Sequence, residues 1–253
     1  MKSVKRLALL ALMIVASFQL KAQFHFGLNA IGTFPVSHWA EEGAANFGTN
    51  PYKGNANIVG AGIGLRFQYD FSWRYNGIVS PFVDIDGLWN PKNKETKAIY
   101  DQYSCTLAHY INAPIMAGAM YRYFLNYQKP IIGFFVEGAI GADLLYVTPE
   151  GWEGQTQKYE ISPALAVRIG AGICLTPQLN IGVHYAFFGN HSINVAGAKE
   201  GFNEVGNSQG VEFPMEIELR MPDKLKESAI MVKLTYIIKG NKLKQLPLRN
   251  SPL

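Results

Sequence analysis

The sequence predicts an all-β fold: an eight-stranded antiparallel transmembrane β-barrel with short periplasmic turns and long extracellular loops. Apolar residues recur with a period of two rather than the roughly 3.6 of a helix, this two-faced pattern appears about eight times, and the connections alternate between long polar segments and short turns.

Residues 1–22 read as a secretory signal peptide. Lys2, Lys5 and Arg6 precede the apolar run Leu7 to Val15, and the segment closes at Leu20-Lys21-Ala22 before Gln23, too short and wrongly flanked for a membrane anchor. Its removal takes Lys2, Lys5, Arg6 and Lys21 from 23 basic residues, leaving 19 against 19 acidic ones. The basic pI is thus a property of the targeting segment, and no nucleic-acid partner is expected. Residues 23–240 form the barrel and 241–253 a polar periplasmic tail.

The first strand, Phe24 to Ile31, sets Phe24, Phe26, Leu28 and Ala30 against His25, Gly27 and Asn29. The second, 57–71, sets Val59, Ala61, Ile63, Leu65, Phe67, Tyr69 and Phe71 against Gly60, Gly62, Gly64, Arg66, Gln68 and Asp70, and turns at Ser72 to Gly77. The third, 78–88, opposes Val79, Val83 and Ile85 to Ser80, Asp84 and Asp86. In the fourth, about 107–124, Ile111, Ala113, Ile115, Ala117, Ala119, Tyr121 and Tyr123 alternate with Asn112, Met116, Gly118, Met120 and Arg122. The fifth, 131–147, pairs Ile132, Phe134, Val136, Ile140 and Leu144 with Gly133, Glu137, Gly141 and Asp143. Residues 164–188 supply two more around the turn Thr176-Pro177-Gln178: Val167 and Ile169 flank Arg168, and Ile181, Val183 and Tyr185 alternate with Gly182 and His184. The eighth, 229–239, alternates Ile230, Val232, Leu234, Tyr236 and Ile238 with Met231, Lys233 and Thr235.

Segments 33–56, 89–106, 148–160 and 190–228 are long, and those near 72–77, 125–130 and 176–178 are short, so all long loops gather at one mouth. A water-soluble barrel would carry Lys, Glu, Ser and Thr at most polar-face positions. Here that face is rich in Gly and Ala with isolated charges, which suits a narrow lumen. Trp73, Tyr121, Tyr123, Tyr146 and Tyr236 near strand ends suit interfacial girdles.

The stretches "YINAPIMAGAMYRYF" (110–124), "KPIIGFFVEGAIGADLLY" (129–146) and "RIGAGICLTPQLNIGVHYAFFG" (168–189), with the "LKAQ" end of the signal peptide, resemble the outer-membrane β-barrel domain common in Bacteroidetes, among small eight-stranded or secretion-accessory barrels. The resemblance covers essentially 23–240 and implies an integral outer-membrane location, with outer-membrane lipid and lipopolysaccharide as neighbours. Such barrels often finish on an aromatic residue; here Gly240 to Leu253 continues, so the assembly signal is expected around Tyr236.

The lumen-facing ions by this register are Arg66, Asp70, Asp84, Asp86, Arg122, Glu137, Asp143, Arg168 and Lys233, expected as an ion-pair network that fills the lumen; the competing reading is a small pore or an accessory barrel of a secretion system. In "HYAFFGNHSIN" (184–194), His191 and Ser192 with Glu200 and Glu204 resemble in type the rim residues of lipid A deacylases. There the His and Ser are separated by one residue; here they are adjacent, and strand neighbours point to opposite faces, so no catalytic residue is assigned. His25, His38, His109, His184 and His191 lack metal-ligand spacing, and no cofactor is expected. Cys105 and Cys174 belong to opposite ends of the barrel and are expected as free thiols. The final loop, 190–228, contains "EFPMEIELRMP" (212–222), whose alternation suits a β-ribbon that projects from the membrane towards a protein or surface ligand. Mass spectrometry of the mature protein should find Gln23 as its first residue; an intact Met1 would remove the export reading.

Overall fold

The computed structural model describes residues 23–40, 56, 59–73, 77–92, 94–102, 104–126, 132–152, 155–196 and 224–239. Residues 1–22, expected as a signal peptide, residues 241–253, expected as a tail, and most of the final loop lie outside them, as do Glu200, Glu204 and the 212–222 stretch.

The strands are β1 (Gln23–Val36), β2 (Gly60–Trp73), β3 (Gly77–Asn90), β4 (Tyr110–Asn112), β5 (Ile115–Phe124), β6 (Gly133–Val147), a small hairpin β7 (Glu150–Trp152) and β8 (Gln155–Gln157), β9 (Ser162–Cys174), β10 (Leu179–Ser192) and β11 (Lys224–Lys239). Among the described residues one α-helix, α1, spans Lys94–Gln102. β4 and β5 are one barrel strand interrupted at Pro114: both pair with β3 and with β6. Proline has no N–H to give the ladder, but its carbonyl still accepts from the Asp86 amide at 3.1 Å. Eight antiparallel strands therefore follow one another round the sheet, and β1 pairs with β11 from His25↔Lys239 to Val36↔Ser228. The barrel is closed.

Closure leaves no sheet edge, which a bilayer requires because lipid offers backbone groups no partner. The faces are inverted relative to a water-soluble protein. Outside, Ile63 is 76%, Leu165 64% and Ile169 61% exposed; inside, Arg66 and Arg168 are 1% and Asp84 0%. Tyr69, Tyr123, Phe134 and Tyr236 stand outward towards the short-turn end, and Trp89 and Tyr146 towards the other. A closed barrel wearing an apolar belt between aromatic rims is an integral protein of the bacterial outer membrane.

The long connections carry more structure than their polarity suggests. α1 sits in the segment after β3, the β7–β8 hairpin in that after β6, and a single 3-10 turn, Ser37–Trp39, buries Trp39 after β1. The last loop is shorter than 190–228, because β10 runs on to Ser192 and β11 begins at Lys224.

One irregularity changes which side chains meet inside. The β10–β11 register shifts between Phe187 and Gly189, a bulge with Gly189 at φ +110°, a conformation that favours glycine. A Cβ there would also stand 2.5 Å from that of Ala164. Beyond the bulge the alternation changes phase, so His191 is buried and Ser192 exposed.

The belt predicts a test of register. Ile169→Arg puts a charge near the lipid midplane and should cost about 2–4 kcal/mol, whereas Ala166→Ser on the inner face should be mild. Assembly is read as the heat-dependent gel shift of the folded barrel; equal damage from both would mean that the faces are reversed.

Candidate functional site: the layered lumen

The inner face fills the barrel in layers. Nearest the short turns, Arg122 pairs with Asp70 and donates to Ser80 Oγ at 3.0 Å and to the carbonyl of Pro177 at 3.4 Å. Ser80 donates to Asp70 at 2.7 Å, and His25 Nε2 lies 3.3 Å from Asp70. Phe82, Met116, Met120, Phe124, Phe135 and Cys174 pack as an apolar cluster in this half of the barrel.

The middle layer centres on Arg66. Its guanidinium forks onto Asp84 (2.8 and 2.8 Å) and also onto Glu137 (2.9 and 3.1 Å), while its face lies 4.0 Å from the ring centroid of Phe82. Planar two-pronged pairing is the strong form of a carboxylate contact. Arg168 reaches Asp86 at 3.2 Å, Glu137 at 3.3 Å and Asp84; Lys233 donates to Asp84 and Asp86 at 2.9 and 3.0 Å. Three cations thus face three carboxylates. Asn29 donates to Asp86 at 2.9 Å and accepts from Thr235, and His184 Nε2 lies 3.0 Å from Glu137. Small neighbours make room: a Cβ on Gly64 would stand 1.9 Å from Asp86 Oδ1, and one on Gly170 1.9 Å from His184 Cδ2.

Towards the long loops, Asn112 donates to Asp143 at 2.7 Å and to Glu227, and His191 Nε2 lies 3.2 Å from Asp143. Trp39 packs edge-on against Tyr110 and Phe188 within an apolar cluster that includes Leu145, Leu225 and Met231. At the mouth, Glu150 accepts from Tyr100 at 2.8 Å and Tyr159 at 2.7 Å and pairs with Lys92 at 3.3 Å. Burial, with Glu150 beside them, pushes both phenols well above the usual tyrosine range, so they stay donors at neutral pH.

All nine ions expected from the strand register turn inward, but not into one network. Arg66, Asp84, Asp86, Glu137, Arg168 and Lys233 meet in the middle; Asp70 and Arg122 pair separately; Asp143 joins His191 and Glu227. His191 and Glu227 are absent from the expected set: the bulge turns the first inward, and the second lies where the sequence reads as loop. His191 and Ser192 face opposite ways, so they form no nucleophile-base pair. Cys105 and Cys174 are both buried, and no disulfide joins them.

No protein-family model matches the chain, and no curated protein matches it. Among solved structures it is similar to Neisserial surface protein A, with 11% identity, 86% of this chain and 98% of that one covered, and a TM-score of 0.38. It is also similar to Ail, the attachment invasion locus protein of Yersinia pestis (12% identity, 87% and 100% covered, TM-score 0.40). A third is the outer membrane protein OprG from Pseudomonas aeruginosa (11% identity, 86% and 95% covered, TM-score 0.37).

Removing one member of the middle layer strands its partners' charges. Arg168→Met should destabilise the detergent-solubilised barrel by roughly 3–5 kcal/mol, read from its urea midpoint. An unchanged midpoint would mean that water already solvates Asp84 and Asp86.

Proposed function

We propose that the barrel is a non-conducting, non-enzymatic platform in the outer membrane that holds its extracellular connections for contact with a surface ligand or a neighbouring envelope protein. One observation carries the reading: the inner face is occupied from one mouth to the other by buried side chains, with most of its ions paired with one another. Arg66, Arg122, Arg168, Asp84, Asp86, Asp143 and Lys233 are each no more than 2% exposed. A path for ions needs water-solvated charges along its length, and apolar layers around Phe82 and Trp39 stand above and below the ionic one. Paired charge between apolar layers is the arrangement of a plug.

Activity is then left to the outer connections, of which the segment between Ser192 and Lys224 is the longest. Its alternating 212–222 stretch supports strand addition to a partner as the mode of contact. Lipopolysaccharide and outer-membrane lipid surround the belt. The competing reading, a small pore or an accessory barrel of a secretion system, differs in what it predicts. In planar bilayers the purified barrel should show no sustained conductance, and deletion of 197–223 should leave the heat-dependent gel shift intact while it abolishes co-purification of cross-linked envelope partners. Stable ion-selective openings that Arg168→Met shifts without loss of stability would establish a pore instead.

A further inference from the structure

The layer formed by Asp143, His191 and Glu227 differs from the others in charge. The middle layer sets three cations against three carboxylates, and Asp70 below it has Arg122. Asp143 and Glu227 are both wholly buried, and among the described residues neither pairs with a lysine or an arginine; the basic side chain beside both is His191. Even a protonated imidazole leaves this layer one positive charge short, and two ionised carboxylates so close cannot both persist in a dry interior without compensation.

The hydrogen bonds locate what is missing. His191 Nδ1 lies 2.9 Å from the Ser162 carbonyl, which can only accept, so Nδ1 carries a proton. Nε2 faces nothing but acceptors: Asp143 Oδ2 at 3.2 Å, the Phe188 carbonyl at 3.2 Å and Glu227 Oε2 at 3.7 Å. Either a proton or a metal ion must stand between them. The Asn112 amide donates to one oxygen of each carboxylate, and the other two, Asp143 Oδ1 and Glu227 Oε1, are buried with no hydrogen-bond partner.

The geometry points to a divalent transition-metal site, of the Zn²⁺ or Mn²⁺ class, held by His191 Nε2 and one oxygen each of Asp143 and Glu227. Ligand atoms from the three residues lie within 4.8 Å of one another, close enough to converge on one ion through bonds of about 2.0–2.2 Å with small rotations. An imidazole with two carboxylates suits these ions, whereas Ca²⁺ takes six to eight oxygens. The Nδ1 bond to a backbone carbonyl is the outer contact that orients a metal-bound histidine. Two positive charges make the layer neutral with His191 uncharged. β6, β10 and β11 each supply one ligand, so the ion would cross-link three strands, and the Gly189 bulge is what brings His191 to it.

The test uses the full mature chain, purified in detergent without a polyhistidine tag, incubated with Zn²⁺ or Mn²⁺ and desalted. Bound metal is measured by mass spectrometry and assembly by the gel shift. About one ion per chain is expected, with a ~tenfold loss in Glu227→Gln and in His191→Gln; a strong chelator should lower the thermal midpoint of the parent and leave that of Glu227→Gln unmoved. If the parent binds no more metal than the variants and the chelator changes nothing, a proton shared by the carboxylates fills the gap and the proposal is overturned. Should the variants fail to assemble, the chelator's effect on the parent midpoint, with its metal content, decides alone.

Discussion

The β1–β11 ladder is the constraint from which the remainder follows. In hydrocarbon an open sheet edge has no partner for its N–H and C=O groups, so the strand nearest the start of the described chain must find the strand nearest its end. Their pairing, Phe26↔Ile238 through Phe34↔Ile230, closes the wall at eight strands. Alternation then obliges every second side chain to enter an interior too narrow for bulk water. What the sequence places there is decided by that enclosure. Glycines and alanines admit a few very large ions, most of which pair with one another.

Enclosure also explains the order of the layers. Guanidinium groups and carboxylates lose their hydration when the sheet closes, and only close, multiply bonded partners offset that loss. Arg66 achieves this with two forks at once and an aromatic face beneath it. The apolar clusters around Phe82 and Trp39 flank the polar middle, and hydrogen bonds in such a low-dielectric interior are electrostatically stronger than in water. At the outer mouth the same logic recurs on a smaller scale, where two tyrosines and Lys92 close round Glu150.

The strands and their faces were legible because a period of two in Ile63, Leu65 and Phe67 against Gly64 and Arg66 needs no tertiary knowledge. All nine inward ions follow from that count. The grouping was not legible, since whether Asp143 meets Arg168 or His191 depends on stagger between strands rather than on position along one. His191 was hidden by a single bulge that reverses the phase of β10, although Gly189 in "FFGNH" is the residue type such a bulge employs. Glu227 was hidden by the polar start of β11, Lys224 to Ser228, which looks like loop because the strand there has risen past the apolar belt. α1 and the small hairpin were missed for a similar reason: short elements at the mouth lack the long alternation that marks the wall.

The middle layer joins β2, β3, β6, β9 and β11, and Lys233 meets Asp84 across 149 residues of chain. Such contacts have no local precursor. Arg66 and Asp84 already face each other across the β2–β3 hairpin, but Lys233 reaches Asp84 and Asp86 only when β11 is in place. Contact order this high makes folding slow, but it also couples the desolvation of the lumen to the final ladder. The strand that closes the wall therefore also completes its filling: β11 supplies the last ladder and, through Lys233, the last cation of the middle layer.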